Sequence, residues 1–228
     1  KKREDPSNPI QSPPKLVHEE KTEEFISLLD YYGLTPFFYQ PSSIYLPLDI
    51  NIDTIEVVKS NGSNVNMTKI SQNKIQFSTN GTARNHFVAC KKPPLDSSSE
   101  EGSFWKVTLD VLPATWLYLG IIGNLDASNI DTSFRDPTSY GWTPSAGVYQ
   151  GGAYRSGDSG WTDFTQGECL YFHLTAKKIT MFSVQKNQKF TIDVATTVDT
   201  YYIHFNIMYI STKLTLEPLN EEERTRIL

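Results

Sequence analysis

The chain has 228 residues, of which 38% are hydrophobic and 12% aromatic, and a formal net charge of −5. That is enough apolar material for one large domain with its own core, which excludes a globally disordered chain. Lys1-Lys2-Arg3 is the densest basic cluster, so nucleic acid and an anionic membrane are excluded as main partners.

Two cysteines, Cys90 and Cys169, are too few for a disulfide framework. Both fall in strand-like segments and read as small apolar residues, with a single bridge left open. No stretch approaches the roughly 18–20 apolar residues of a membrane span. The start is charged and proline-rich with no apolar core, so no signal peptide is expected, and the expected location is cytoplasmic. The start also lacks an initiator Met, which leaves upstream residues open. The sequons at Asn61, Asn66 and Asn80 read as unmodified surface positions.

Residues 1–14 hold Pro6, Pro9, Pro13 and Pro14 among polar residues and read as a disordered lead-in. Residues 15–42 read as a helix and linker. Apolar positions repeat with helical spacing from Phe25 through Leu28, Leu29 and Tyr32. Thr22 suits the N-cap, Glu23 and Glu24 the first turn, and Gly33 the stop. Residues 43–217 then read as strands separated by turns such as Asn61-Gly62, Asn80-Gly81 and Pro93-Pro94. Trp105, Val107, Leu109 and Val111 share one strand face, with Lys106, Thr108 and Asp110 on the other. Tyr201–Ile210 is apolar on both faces, as a covered central strand should be. Residues 218–228 read as a charged tail. The expected fold is an all-β antiparallel sandwich with one short N-terminal helix.

Tyr140–Trp161 stands out as rich in glycine and aromatics, and reads as a surface loop that holds a partner. The candidate binding residues are Arg135, Asp136, Tyr140, Trp142, Tyr149, Tyr154, Arg155, Asp158 and Trp161, types that dominate protein interfaces.

From Phe104 onward the order of features resembles the SPRY/B30.2 family. Phe104-Trp105-Lys106-Val107-Thr108-Leu109 looks like its Trp-led strand, and Trp116–Gly123 like its Gly-ended strand. Tyr140-Gly141-Trp142 resembles its Tyr/Gly/Trp patch. Gly167–Leu174, Lys178–Phe182, Phe190–Ile192, Tyr202–Ile207 and Lys213–Leu216 resemble its later strands. Two departures stand out. Gly167-Glu168 replaces Gly-Asp, and Gln185-Lys186-Asn187-Gln188 replaces an Asn-Gly turn. The resemblance implies a concanavalin-like jelly roll that binds a protein or peptide. Separately, Glu23–Leu34 resembles the helical end of a potassium-channel-tetramerisation-type BTB domain. That likeness implies a ubiquitin-ligase adaptor with a cullin partner.

Enzyme chemistry finds little footing. Gly157-Asp158-Ser159-Gly160 is similar to a trypsin-like nucleophile loop, but Trp161 replaces its last Gly. His86, the upstream His of the β region, lacks the expected setting. The four His show no metal-ligand spacing, though His173 and His204 could face each other across strands. No phosphate loop is present. The expectation is a non-enzymatic binding module without cofactor or metal. The alternative is a carbohydrate-binding sandwich whose aromatics stack on sugars, and a hydrolase ranks last.

Overall fold

Strands form where β-branched and aromatic residues alternate with polar ones, and the alternation decides which face is buried. The computed structural model describes residues 54–60, 64–80, 85–95, 101–113, 116–129, 131–157, 160–208 and 210–228, all within one compact unit. These carry fourteen strands in two antiparallel sheets of seven. The first sheet runs β1 (Glu56–Lys59), β4 (His86–Leu95), β13 (Tyr201–Ile207), β6 (Leu117–Ile122), β7 (Ser139–Thr143), β8 (Gly147–Gln150) and β9 (Ala153–Ser156). The second runs β12 (Gln188–Asp193), β11 (Lys178–Ser183), β10 (Cys169–Leu174), β5 (Ser103–Val111), β14 (Lys213–Glu217), β3 (Lys74–Thr79) and β2 (Val65–Ser71).

The core lies between the sheets. Trp105, Val107 and Leu109 of β5 enter it, as the alternation of that strand predicts. Trp105 stacks on Phe172 with ring centres 5.2 Å apart, and Phe77 of the second sheet meets Phe205 of the first edge-on at 5.4 Å. Each such ring contributes roughly 1.5–3 kcal/mol of transfer free energy when fully buried. Cys90 and Cys169 are both free thiols, and burial pushes the Cys90 thiol up to about 12. Pro93-Pro94, expected as a turn, lies inside β4 instead. There β4 changes register against both β1 and β13, so the missing proline N–H falls where the ladder is already irregular.

The described residues hold one α-helix, α1 (Glu221–Ile227), within the segment read as a charged tail. Asn220 caps it, accepting from the Glu223 N–H at 2.9 Å, while Glu223 accepts from the Asn220 N–H at 2.9 Å. Leu219 and Ile227 pack on Phe104, Tyr171 and Phe182 on the outer face of the second sheet. The same Glu223 pairs with Lys106 of β5 at 2.7 Å. The helix expected over 22–34, and with it the BTB likeness, lies outside the described residues. No helix among the described residues is long and apolar enough to cross a membrane.

The reading of Tyr140–Trp161 as a surface loop is corrected. Most of it is the β7–β8–β9 meander at the edge of the first sheet. The glycines do not loosen this segment; they let strands and rings come close. Gly120 of β6 stands opposite Gly141 of β7. A β-carbon at Gly141 would overlap the Leu119 carbonyl and come within 2.8 Å of the Tyr118 ring.

Candidate functional site

Period-two alternation sorts the candidate residues. In β7, Tyr140 and Trp142 point into the core, so Trp142 is 0% exposed and Tyr140 is buried. Trp161 is also core, at 1% exposure, and its Nε1 donates to the Thr143 carbonyl at 2.7 Å. These rings therefore cannot meet a partner, which corrects the expectation for Tyr140, Trp142 and Trp161. Their glycine-rich surroundings suggested a surface, whereas their register faces the second sheet.

Asp136 is a loop tie. Its Oδ1 accepts from the Thr138 N–H at 2.8 Å and the Thr138 hydroxyl at 2.6 Å, and its Oδ2 from Asn124 at 3.0 Å. Arg155 is exposed on β9 opposite Val148 and lines an edge cleft with Tyr140, Gln150 and Asp193, away from Tyr149 and Tyr154. Asp158, with Ser159, lies outside the described residues.

Three candidates come together on the outer face of the first sheet. His204, Gly120, Gly141, Tyr149 and Tyr154 follow one another across β13, β6, β7, β8 and β9 in register. The two glycines leave a hollow, and rings fill it. Phe134, from the short 3-10 helix Ser133–Arg135, meets Tyr149 at 5.0 Å and Trp116 at 4.8 Å, both edge-on. Tyr118 lies beneath, its hydroxyl 2.7 Å from the Ser139 hydroxyl, and burial pushes its pKa upward. Tyr154 extends the row as a ring 57% exposed, 5.5 Å from Tyr149.

Above this floor is a groove of about 390 Å³ lined by Trp116, Phe134, Arg135, Thr143, Pro144, Ser145 and Tyr149. The Arg135 guanidinium lies 5.9 Å from the Phe134 ring centre and close enough to the Tyr149 hydroxyl for its charge to act on it. Burial raises the Tyr149 pKa, and the Arg135 charge opposes that rise. The rim at Ser145 and Ala146 is a tight turn with φ of 57° and 60°, closed by the Gly147 N–H donating to the Pro144 carbonyl at 3.3 Å. Two non-glycine residues in the left-handed region store strain of roughly 1–2 kcal/mol each.

Sequence reasoning missed Trp116, Phe134, Pro144 and Ser145. Phe134 sits in a short coil-like stretch with no period, and Trp116 read simply as the start of a strand.

The 3-10 helix is fastened by a buried polar cluster. Ser133 lies 3.0 Å from His204 Nε2 and accepts from Asn206 Nδ2 at 2.9 Å. Burial between Phe87 and Tyr118 holds the His204 imidazole down at about 3, so it is neutral. His173 belongs to the other sheet, stacked on Phe104 with its Nε2 2.8 Å from the Glu101 carbonyl. The two histidines do not face each other. Among the described residues no group of three or more His, Cys, Asp or Glu could hold a metal ion.

No protein-family model and no curated protein matches the chain. Solved structures do. The SPRY domain of human HERC1 superposes with a TM-score of 0.51 at 8% identity, over 69% of this chain and 96% of that one. The PSpry domain of TRIM65 gives 0.46 at 13% identity, over 71% and 89%. A Bacillus subtilis protein of unknown function with a galectin-like fold gives 0.44 at 7% identity, over 72% and 87%. At such identity the HERC1 match speaks for the fold alone. Two seven-stranded antiparallel sheets closing over one core make this chain SPRY-like in fold.

Proposed function

We propose that the sandwich is a non-enzymatic module that binds a short peptide or protein surface in the outer groove of the first sheet. The observation that carries this reading is the open groove in which half-buried Trp116 and exposed Arg135 and Ser145 stand around the buried rings of Phe134 and Tyr149, with exposed Tyr154 beside it. Aromatic side chains and arginine supply most of the energy at protein interfaces. The rings of Trp116, Phe134 and Tyr149 are held by packing on one another, which lowers the entropic cost of binding.

The carbohydrate alternative depended on loop tryptophans as sugar platforms. Trp142 and Trp161 are buried, so that reading would rest on Tyr154. For a protease, His86 would have to serve as base, and it is buried in β4. The finer reading, a target-recognition part of a ubiquitin-ligase adaptor with a cullin partner, stands on residues 22–34. Co-purification of a cullin with the longest natural form of the chain would test it.

Selection from a phage-displayed library of random short peptides tests the groove. The expected result is enriched peptides whose binding is lost in Trp116→Ala while the melting profile shows a folded protein. Failure to enrich any peptide, or binding unchanged in Trp116→Ala, would overturn the reading.

A further inference from the structure

Among the described residues that line the groove one side chain is charged, and it is positive. Arg135 ends its 3-10 helix with an exposed side chain whose guanidinium lies 5.9 Å from the Phe134 ring centre, beside the Tyr149 hydroxyl. A guanidinium has five N–H donors in a planar fork, a geometry that matches a carboxylate. Among the described residues no carboxylate lies within ion-pair distance of Arg135. Its chain neighbour Asp136 is turned to Thr138 and Asn124 instead.

An arginine placed in this way can bind an incoming carboxylate through two parallel N–H···O bonds. The remaining lining is apolar or hydroxyl-bearing, so it suits an uncharged side chain beside that carboxylate. We propose that the partner is an acidic peptide segment, with an Asp or Glu carboxylate on Arg135 and an adjacent apolar residue on the half-buried Trp116 ring. The proposal rests on the peptide-binding reading above and adds the chemistry that the groove selects.

The test uses the peptides enriched on the wild-type protein, made synthetically in pairs with each Asp or Glu replaced by its amide. Enriched sequences should carry an acidic position. The acid-to-amide change should weaken binding to the wild type about tenfold or more. It should have little effect in Arg135→Gln, a variant whose exposed side chain leaves folding intact, and wild-type binding should weaken with added salt. Two results would overturn the proposal while leaving the groove reading in place. One is peptides that lose binding in Trp116→Ala yet show no acidic position. The other is an amide effect equal in wild type and Arg135→Gln. Peptides indifferent to Trp116→Ala would overturn both.

Discussion

Glu168 and Lys186, eighteen positions apart, meet in an ion pair of 2.5 Å at the start of β10. The Glu168 carboxylate is fully buried and also accepts from Ser183 at 2.5 Å and from the Thr165 N–H at 2.8 Å. Lys186 donates to the Asp163 carbonyl at 2.6 Å and lies 5.0 Å over the Trp161 ring. Both positions fall in the two stretches, Gly167-Glu168 and Gln185–Gln188, at which the sequence departs from the pattern it resembles. Lys186→Met should destabilise the fold by about 3 kcal/mol, because it strands a buried carboxylate. Replacing both partners with apolar residues should recover much of that loss. Urea melts of the single and double variants check this, and equal stability of Lys186→Met and wild type would contradict it.

The rim turn offers a stabilising change. Ala146 has φ of 60°, a conformation open to glycine without steric penalty. Ala146→Gly should raise stability by about 1 kcal/mol, visible as a higher denaturation midpoint. No gain would mean that the turn is unstrained.

Stability should fall with acid through His204. Its folded pKa, about 3, lies below the ordinary value of 6.5, because burial disfavours the imidazolium. Between those values the unfolded chain binds a proton that the folded chain does not, so stability decreases as pH drops below about 6.5. From pH 7 to pH 5 the loss from this residue is about 2 kcal/mol. His173, lowered by burial in the same direction, adds to it. His204→Gln should flatten the dependence relative to wild type in urea melts at the two pH values. An unchanged slope would contradict the assignment.

Trp161 and Tyr154 should behave oppositely. Trp161→Ala removes a core ring, its hydrogen bond to Thr143 and the surface under Lys186, and should destabilise by about 3–5 kcal/mol. Tyr154→Ala changes an exposed ring and should stay within about 0.5 kcal/mol. Thermal unfolding separates the two, and similar midpoints would contradict the placement of Trp161 in the core and Tyr154 on the surface.

Much of the sandwich was legible in the sequence. Alternation in β5 and β10, and the two-sided apolarity of β13, announce buried strands because a period of two maps directly onto sheet faces. The meander β7–β9 was not legible. Its glycines look like loop signals, whereas here Gly120 and Gly141 make a close cross-strand approach that only the paired partner reveals. Arg135, Tyr149 and Tyr154 were legible as partner-binding types. Their separation from Trp142 and Trp161 depends on which face each residue takes, and a one-residue shift reverses that. Trp116 and Phe134 join the site through tertiary packing of an aperiodic segment against a strand start.

The most direct test of the account is backbone amide NMR of the protein titrated with one enriched peptide. The groove predicts shift changes concentrated at Trp116, Phe134, Arg135, Thr143, Ser145 and Tyr149. Changes concentrated instead on the outer face of the second sheet, at Ile70, Gln76, Thr108 and Thr215, would contradict it.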